Sequence, residues 1–187
     1  MRSALLILLF GLVSIAAHAF EAPPNDKHCW LVLEQSNGNA LPEFISVIGE
    51  LPKKADRQKY SHLFIVKWGY EANPNGLPTE AALIKGRTLY TELDHVFGSN
   101  AVFALSRTGG GGRTMYYYAT STSKVGAALK RHFESSPPIS ISVSAIEQPE
   151  WSAVHEVLSR ITEHPGKAPG LTGCSRGRQP ASRLAAP

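Results

Sequence analysis

Between His62 and Ile146 the spacing of apolar residues switches repeatedly between a strand period and a helix period. That alternation constrains the fold more than any single motif does. His62 to Tyr70 is rich in β-branched and aromatic residues and reads as a strand, with Phe64, Val66 and Trp68 on one face. A dense cluster of chain breakers runs from Asn73 to Pro78. Thr79 then offers a helix N-cap, and Ala82, Gly86, Leu89, Leu93 and Val96 recur at helical spacing before Gly98. Gly86 lies on that apolar stripe, where a missing side chain permits close packing against a sheet. Ala101 to Arg107 and Thr114 to Thr120 read as two strands joined by a flexible tip containing Gly109, Gly110, Gly111 and Gly112. Ser121 to Ser123 opens a second helix with Val125, Ala128, Leu129, His132 and Phe133 near one side, and Pro137-Pro138 ends it. From Ile139 to Ile146 apolar residues alternate with Ser140, Ser142 and Ser144. The pattern predicts a strand with one buried face, made by Ile139, Ile141, Val143 and Ala145, and one wetter face.

The resulting order, β-α-β-β-α-β, defines an α+β, ferredoxin-like unit: a four-stranded antiparallel sheet with both helices on one side. Two short strands are added in front, Cys29 to Glu34 and Phe44 to Ile48, across a turn at Gln35 to Asn39. Lys53 to Lys59 reads as a charged connector. Trp151, Val154, Leu158 and Ile161 form the stripe of a closing amphipathic helix. Residues 29–164 are therefore expected to be one domain.

The ends differ in character. Arg2, the apolar run from Ala4 to Ala17 and the small-x-small Ala17-His18-Ala19 read as a secretory signal peptide of residues 1–19, cut after Ala19. That places the mature chain in the periplasm or outside the cell, with no membrane span. Residues 20–28 read as a loose leader. Residues 165–187, rich in Pro, Gly and Arg, read as a disordered tail. The net charge of +4 belongs to these ends: Arg2 and four tail cations leave 14 Lys and Arg against 15 Asp and Glu in the body. A nucleic-acid binder would carry its basic patch on the folded body, so that class is disfavoured. Cys29 and Cys174 can form one disulfide in an oxidising compartment. They are too few and too far apart for a metal site.

Three stretches share a resemblance: Trp68-Gly69-Tyr70 leading into Asn75-Gly76-Leu77-Pro78, the hairpin from Arg107 to Tyr118, and Gln148-Pro149-Glu150-Trp151. Together they resemble the family called domain of unknown function 695, over roughly Trp30 to Leu158. The resemblance implies a ferredoxin-like fold and no assigned chemistry. The chain departs from the family pattern at Gln148, where an Asp is usual.

No catalytic constellation stands out. The glycine run lacks the Lys-Ser/Thr and the helix that a phosphate loop needs. Adjacent Asp94 and His95 point about 100° apart on a helix and do not meet. The remaining histidines are scattered, and no Gly-x-Ser-x-Gly elbow occurs. No metal and no cofactor are implied. What remains is a set of binding candidates. Arg107 and Arg113 flank the hairpin tip and suit an anionic ligand, against the plainer reading of solvated strand ends. Tyr116 and Tyr118 share a strand face opposite Tyr117. With Trp68 they suit an aromatic surface on the open side of the sheet, against ordinary packing under added elements.

The leading functional expectation is a non-enzymatic binding or regulatory module that meets a protein or small ligand through its open sheet face. The alternatives are a hydrolase or transferase with a site around Arg107, Arg113 and Glu150, and a homodimeric structural or assembly protein.

Overall fold

A computed structural model describes residues 29–36, 41–135 and 139–163. The signal peptide, the leader, Cys174 and the tail lie outside the described residues. Six strands and four helices are described: β1 (Trp30–Gln35), β2 (Glu43–Ile48), α1 (Lys54–Lys59), β3 (His62–Gly69), α2 (Glu80–Phe97), β4 (Ala101–Gly109), β5 (Gly112–Ala119), α3 (Thr122–Ser135), β6 (Ile141–Glu147) and α4 (Ser152–Glu163). The strands form one open antiparallel sheet in the order β1-β2-β4-β5-β3-β6.

The expected helix boundaries have local causes. The Thr79 side chain accepts a hydrogen bond from the Ala82 N–H, capping α2, and Gly98 ends it at φ +47°. The Lys53–Lys59 segment is not a plain connector but largely a short helix, α1, without an apolar stripe. Arg57 holds it by donating to the Pro52 carbonyl at 2.8 Å. In the hairpin, only Gly110 and Gly111 form the turn, at φ +57° and +80°, while Gly109 and Gly112 continue the ladder. Two successive positive φ values match the right-handed strand twist, and glycine adopts them without Cβ strain.

Each face of the sheet carries its own core. On one face lie α2 and α3, packed against each other. Phe97 of α2 stacks on Tyr117 with centroids 4.2 Å apart and meets Phe64 edge-on. Trp68 fits under Gly86 so closely that a Cβ there would come within 2.9 Å of its ring. On the other face α4 lies across the sheet, and Trp151, Val154 and Val157 are buried. Each large buried apolar side chain contributes about 1.5–3 kcal/mol, so both faces are needed to hold the sheet.

Two strand features depart from the sequence expectation. In β4 the register shifts between Phe103 and Leu105, leaving Ala104 as an extra residue. This bulge turns Phe103 toward Tyr117 on the α2 face and Leu105 toward Tyr116 on the α4 face, where strict alternation would keep them together. In β6 the expected buried face is only half covered: Ile139 and Ile141 pack partly buried against the core, but Val143 is 42% exposed, and Ser142 to Glu147 are exposed on both sides. The strand is at the sheet edge and pairs only with β3 among the described residues.

Candidate functional site

The register divides the sequence-derived candidates between two faces. Thr108 pairs with Arg113 and Arg107 with Thr114, so the two arginines point to opposite sides of the hairpin. They cannot grip one ligand together. Trp68 pairs with Arg113 and shares its face, away from Tyr116 and Tyr118. The side expected to be open is covered at Tyr118 by α4.

Arg113 and Trp68 belong to the α2-side core, both 5% exposed. The Arg113 Nε donates to Thr108 Oγ1 at 2.9 Å, and its guanidinium lies 5.3 Å from the centre of the Tyr90 ring. Such a cation–π contact helps a buried guanidinium replace its lost hydration. Burial raises the pKa of Tyr90 against the opposing pull of Arg113, and burial raises that of Tyr117 well above the ordinary value. A residue so enclosed is placed to hold the core.

Tyr118 is equally enclosed, but by α4. Its ring stacks on Trp151 with centroids 3.9 Å apart and planes within 8°. Its hydroxyl donates to Gln148 Oε1, which also accepts the Ala153 N–H at 3.2 Å. Trp151 Nε1–H donates to the Tyr60 carbonyl at 2.9 Å, and Trp151 adopts φ +56°. Burial pushes the Tyr118 pKa up. These contacts fix the start of α4 on the sheet.

Fixing α4 there opens a groove between its later turns and the surface of β1, β2, β4 and β5. The groove encloses about 270 Å³, with Leu33, Ile45, Leu105, Val157 and Ile161 among its apolar walls. Arg107 and Tyr116 both line it. Arg107 makes a bidentate pair with Glu43, Nε to Oε1 at 3.1 Å and Nη2 to Oε2 at 2.6 Å. This pairing raises the Arg107 pKa. Burial raises the Tyr116 pKa, while the nearby Arg107 charge opposes that rise. Across the mouth, Arg160 of α4 donates to Glu156. The rim thus carries two paired arginines and the exposed Glu34 carboxylate over an apolar floor.

Glu150 lies elsewhere, 3.6 Å from Arg57 at the junction of α1 and α4 and 70% exposed. Arg107, Arg113 and Glu150 do not line one pocket. Among the described residues no three His, Cys, Asp or Glu side chains gather as a metal site, and no helix is long and apolar enough to cross a membrane. Cys29 is disulfide-bonded. The Cys29–Cys174 pairing itself lies outside the described residues.

The family model for a family of unknown function, DUF695, matches residues 30–159. The chain belongs to the DUF695 family. No curated protein and no solved structure matches it. Within the DUF695 region the quoted motifs have structural tasks. Tyr70 donates through its hydroxyl to the Gly76 carbonyl at 3.0 Å, and Asn73 Oδ1 accepts the N–H groups of Asn75 and Leu77. Gly76 at φ +74° sits against the backbone of Gly110, tying this loop to the hairpin tip. Gln148 and Trp151 set α4. Of the groove residues that α4 supplies, Ile161 lies on the stripe read from the sequence, whereas Ala153, Glu156, Val157 and Arg160 are absent from the sequence candidates. Val157 had a usable signal, three residues after Val154 on the buried side of an amphipathic helix.

Proposed function

We propose that this is an exported, non-enzymatic binding module whose ligand sits in the α4-side groove. The ferredoxin-like reading of residues 62–147 is supported by the strand order β4-β5-β3-β6 with α2 and α3 on one face. Export is supported by the Arg2 to Ala19 pattern and by a cysteine held in a disulfide, which suits an oxidising space.

The observation that carries the binding reading is the meeting of Arg107 and Tyr116 over an apolar floor. Ligand sites combine apolar walls with a few convergent polar groups, and pockets for drug-sized molecules measure about 300–1,000 Å³. At about 270 Å³ this groove fits a small body. Because Arg107 and Arg160 already have carboxylate partners, an anionic ligand would have to displace one of them. A neutral amphipathic molecule avoids that cost and still exchanges hydrogen bonds with Tyr116 or the rim. A panel of neutral aromatic amides, titrated while methyl resonances are followed, tests the reading. Shifts should concentrate on Leu33, Ile45, Leu105, Val157 and Ile161. Shifts confined to other methyls, or turnover of an ester, phosphate or peptide panel by the purified protein, would overturn it.

A further inference from the structure

We propose that β6 is the seam of a homodimer, in which a second copy of this chain extends the sheet. The strand is an edge whose outward backbone groups have no ladder partner among the described residues. Natural edges are usually protected by charge, proline or a bulge. From Ile139 to Ile146 the sequence contains none of these, reading Ile-Ser-Ile-Ser-Val-Ser-Ala-Ile, and the one charge of β6 is Glu147 at its end. Val143 and Ile146 remain 42% and 49% exposed.

Beside the edge lies a second groove of about 410 Å³, walled by Phe64, Leu129 and Phe133 and open above Gly126. A Cβ built on Gly126 would meet nothing within 4 Å. The space lies on the Val143 side of β6, so side chains of an added strand on that side have apolar walls to meet.

Charge and pattern together select a copy of the same chain. An isologous contact requires every residue to tolerate its own two-fold image. With the axis at Val143, antiparallel pairing sets Val143 against itself, Ile141 against Ala145 and Ser142 against Ser144. Across Ile141 to Ala145 apolar meets apolar and hydroxyl meets hydroxyl; beyond them Ser140 faces Ile146 and Ile139 faces Glu147, with no like charges opposed. A register centred on Ser144 would bring both mismatches closer to the axis, as Ser142 against Ile146 and Ile141 against Glu147, and would match only Val143 to Ala145. The outer surface of α3 carries both signs, with Lys130 and Glu134 3.8 Å apart, so it does not repel its own image as a single-sign surface would.

Light scattering of the purified protein should give twice the monomer mass. Val143→Lys and Ser144→Lys, both at exposed positions, should halve that mass while circular dichroism stays unchanged. Val143→Cys, next to its own image, should form a reducible covalent dimer under mild oxidation. A wild-type monomer, which would leave the edge to another protein's strand, overturns the proposal. So does a dimer that survives both lysine variants, or a Val143→Cys protein that does not cross-link.

Discussion

Replacing Trp151 by alanine should loosen α4 and the groove together. Trp151 is fully buried, stacked on Tyr118 and hydrogen-bonded to the Tyr60 carbonyl. Truncation of a buried tryptophan costs about 3–5 kcal/mol through lost transfer energy and the cavity left behind. The orphaned Tyr60 carbonyl would add more if water did not enter the cavity. We expect about 4–5 kcal/mol, a large share of the roughly 5–15 kcal/mol that holds a domain folded. Trp151→Phe keeps a ring over Tyr118 and loses chiefly the indole N–H, so it should cost only about 1–2 kcal/mol. Urea unfolding followed by circular dichroism measures both, and hydrogen exchange should show α4 amides losing protection first in the alanine variant. If Trp151→Ala fell within about 1 kcal/mol of wild type, the anchoring role of the Gln148–Trp151 turn would be refuted.

Three other outcomes follow from the same contacts. Gly86→Ala should destabilise by about 1–3 kcal/mol in urea, because the clash with Trp68 outweighs the gain of about 1 kcal/mol in helix propensity; a stabilised variant would contradict that packing. Tyr90, Tyr117 and Tyr118 have pKa values raised by burial above the ordinary 10.0. Their contribution to stability is therefore complete below about pH 10 and lost as pH rises through the folded-state values, since the unfolded chain ionises first. The melting temperature should fall in that range as tyrosinate absorbance appears, and a flat melting profile would contradict it. Arg107→Gln should cost under about 1 kcal/mol of stability, because its pair with Glu43 is about one-third exposed on each side; a loss of several kcal/mol would place Arg107 in the core and not at a groove rim.

Much of the fold was legible because periodicity reports which residues share a face. The Thr79 cap, the Gly86 stripe and the Trp151 helix were readable for that reason. Periodicity does not report what covers a face. The alternation in β6 predicts a buried side, yet α3 stands away from it and leaves Val143 exposed. Nor does local sequence reveal the bulge at Ala104, which sends Arg107 to the α4 side after Phe103 has faced α2. Without that extra residue Arg107 would point into the α2 core, and the groove would lack its rim. The short α1 escaped detection because Lys54 to Lys59 has no apolar stripe to detect. Arg107 and Arg113 looked alike in sequence, and only the register separates a groove residue from a core residue.

The groove is most directly tested by filling it. Ala153 lines it from α4 and is only partly buried, so Ala153→Trp should occupy the space with the fold intact. Calorimetry with the best-binding neutral aromatic amide should show affinity reduced at least tenfold, which is about 1.4 kcal/mol. Unchanged affinity in a folded Ala153→Trp protein would place the ligand elsewhere.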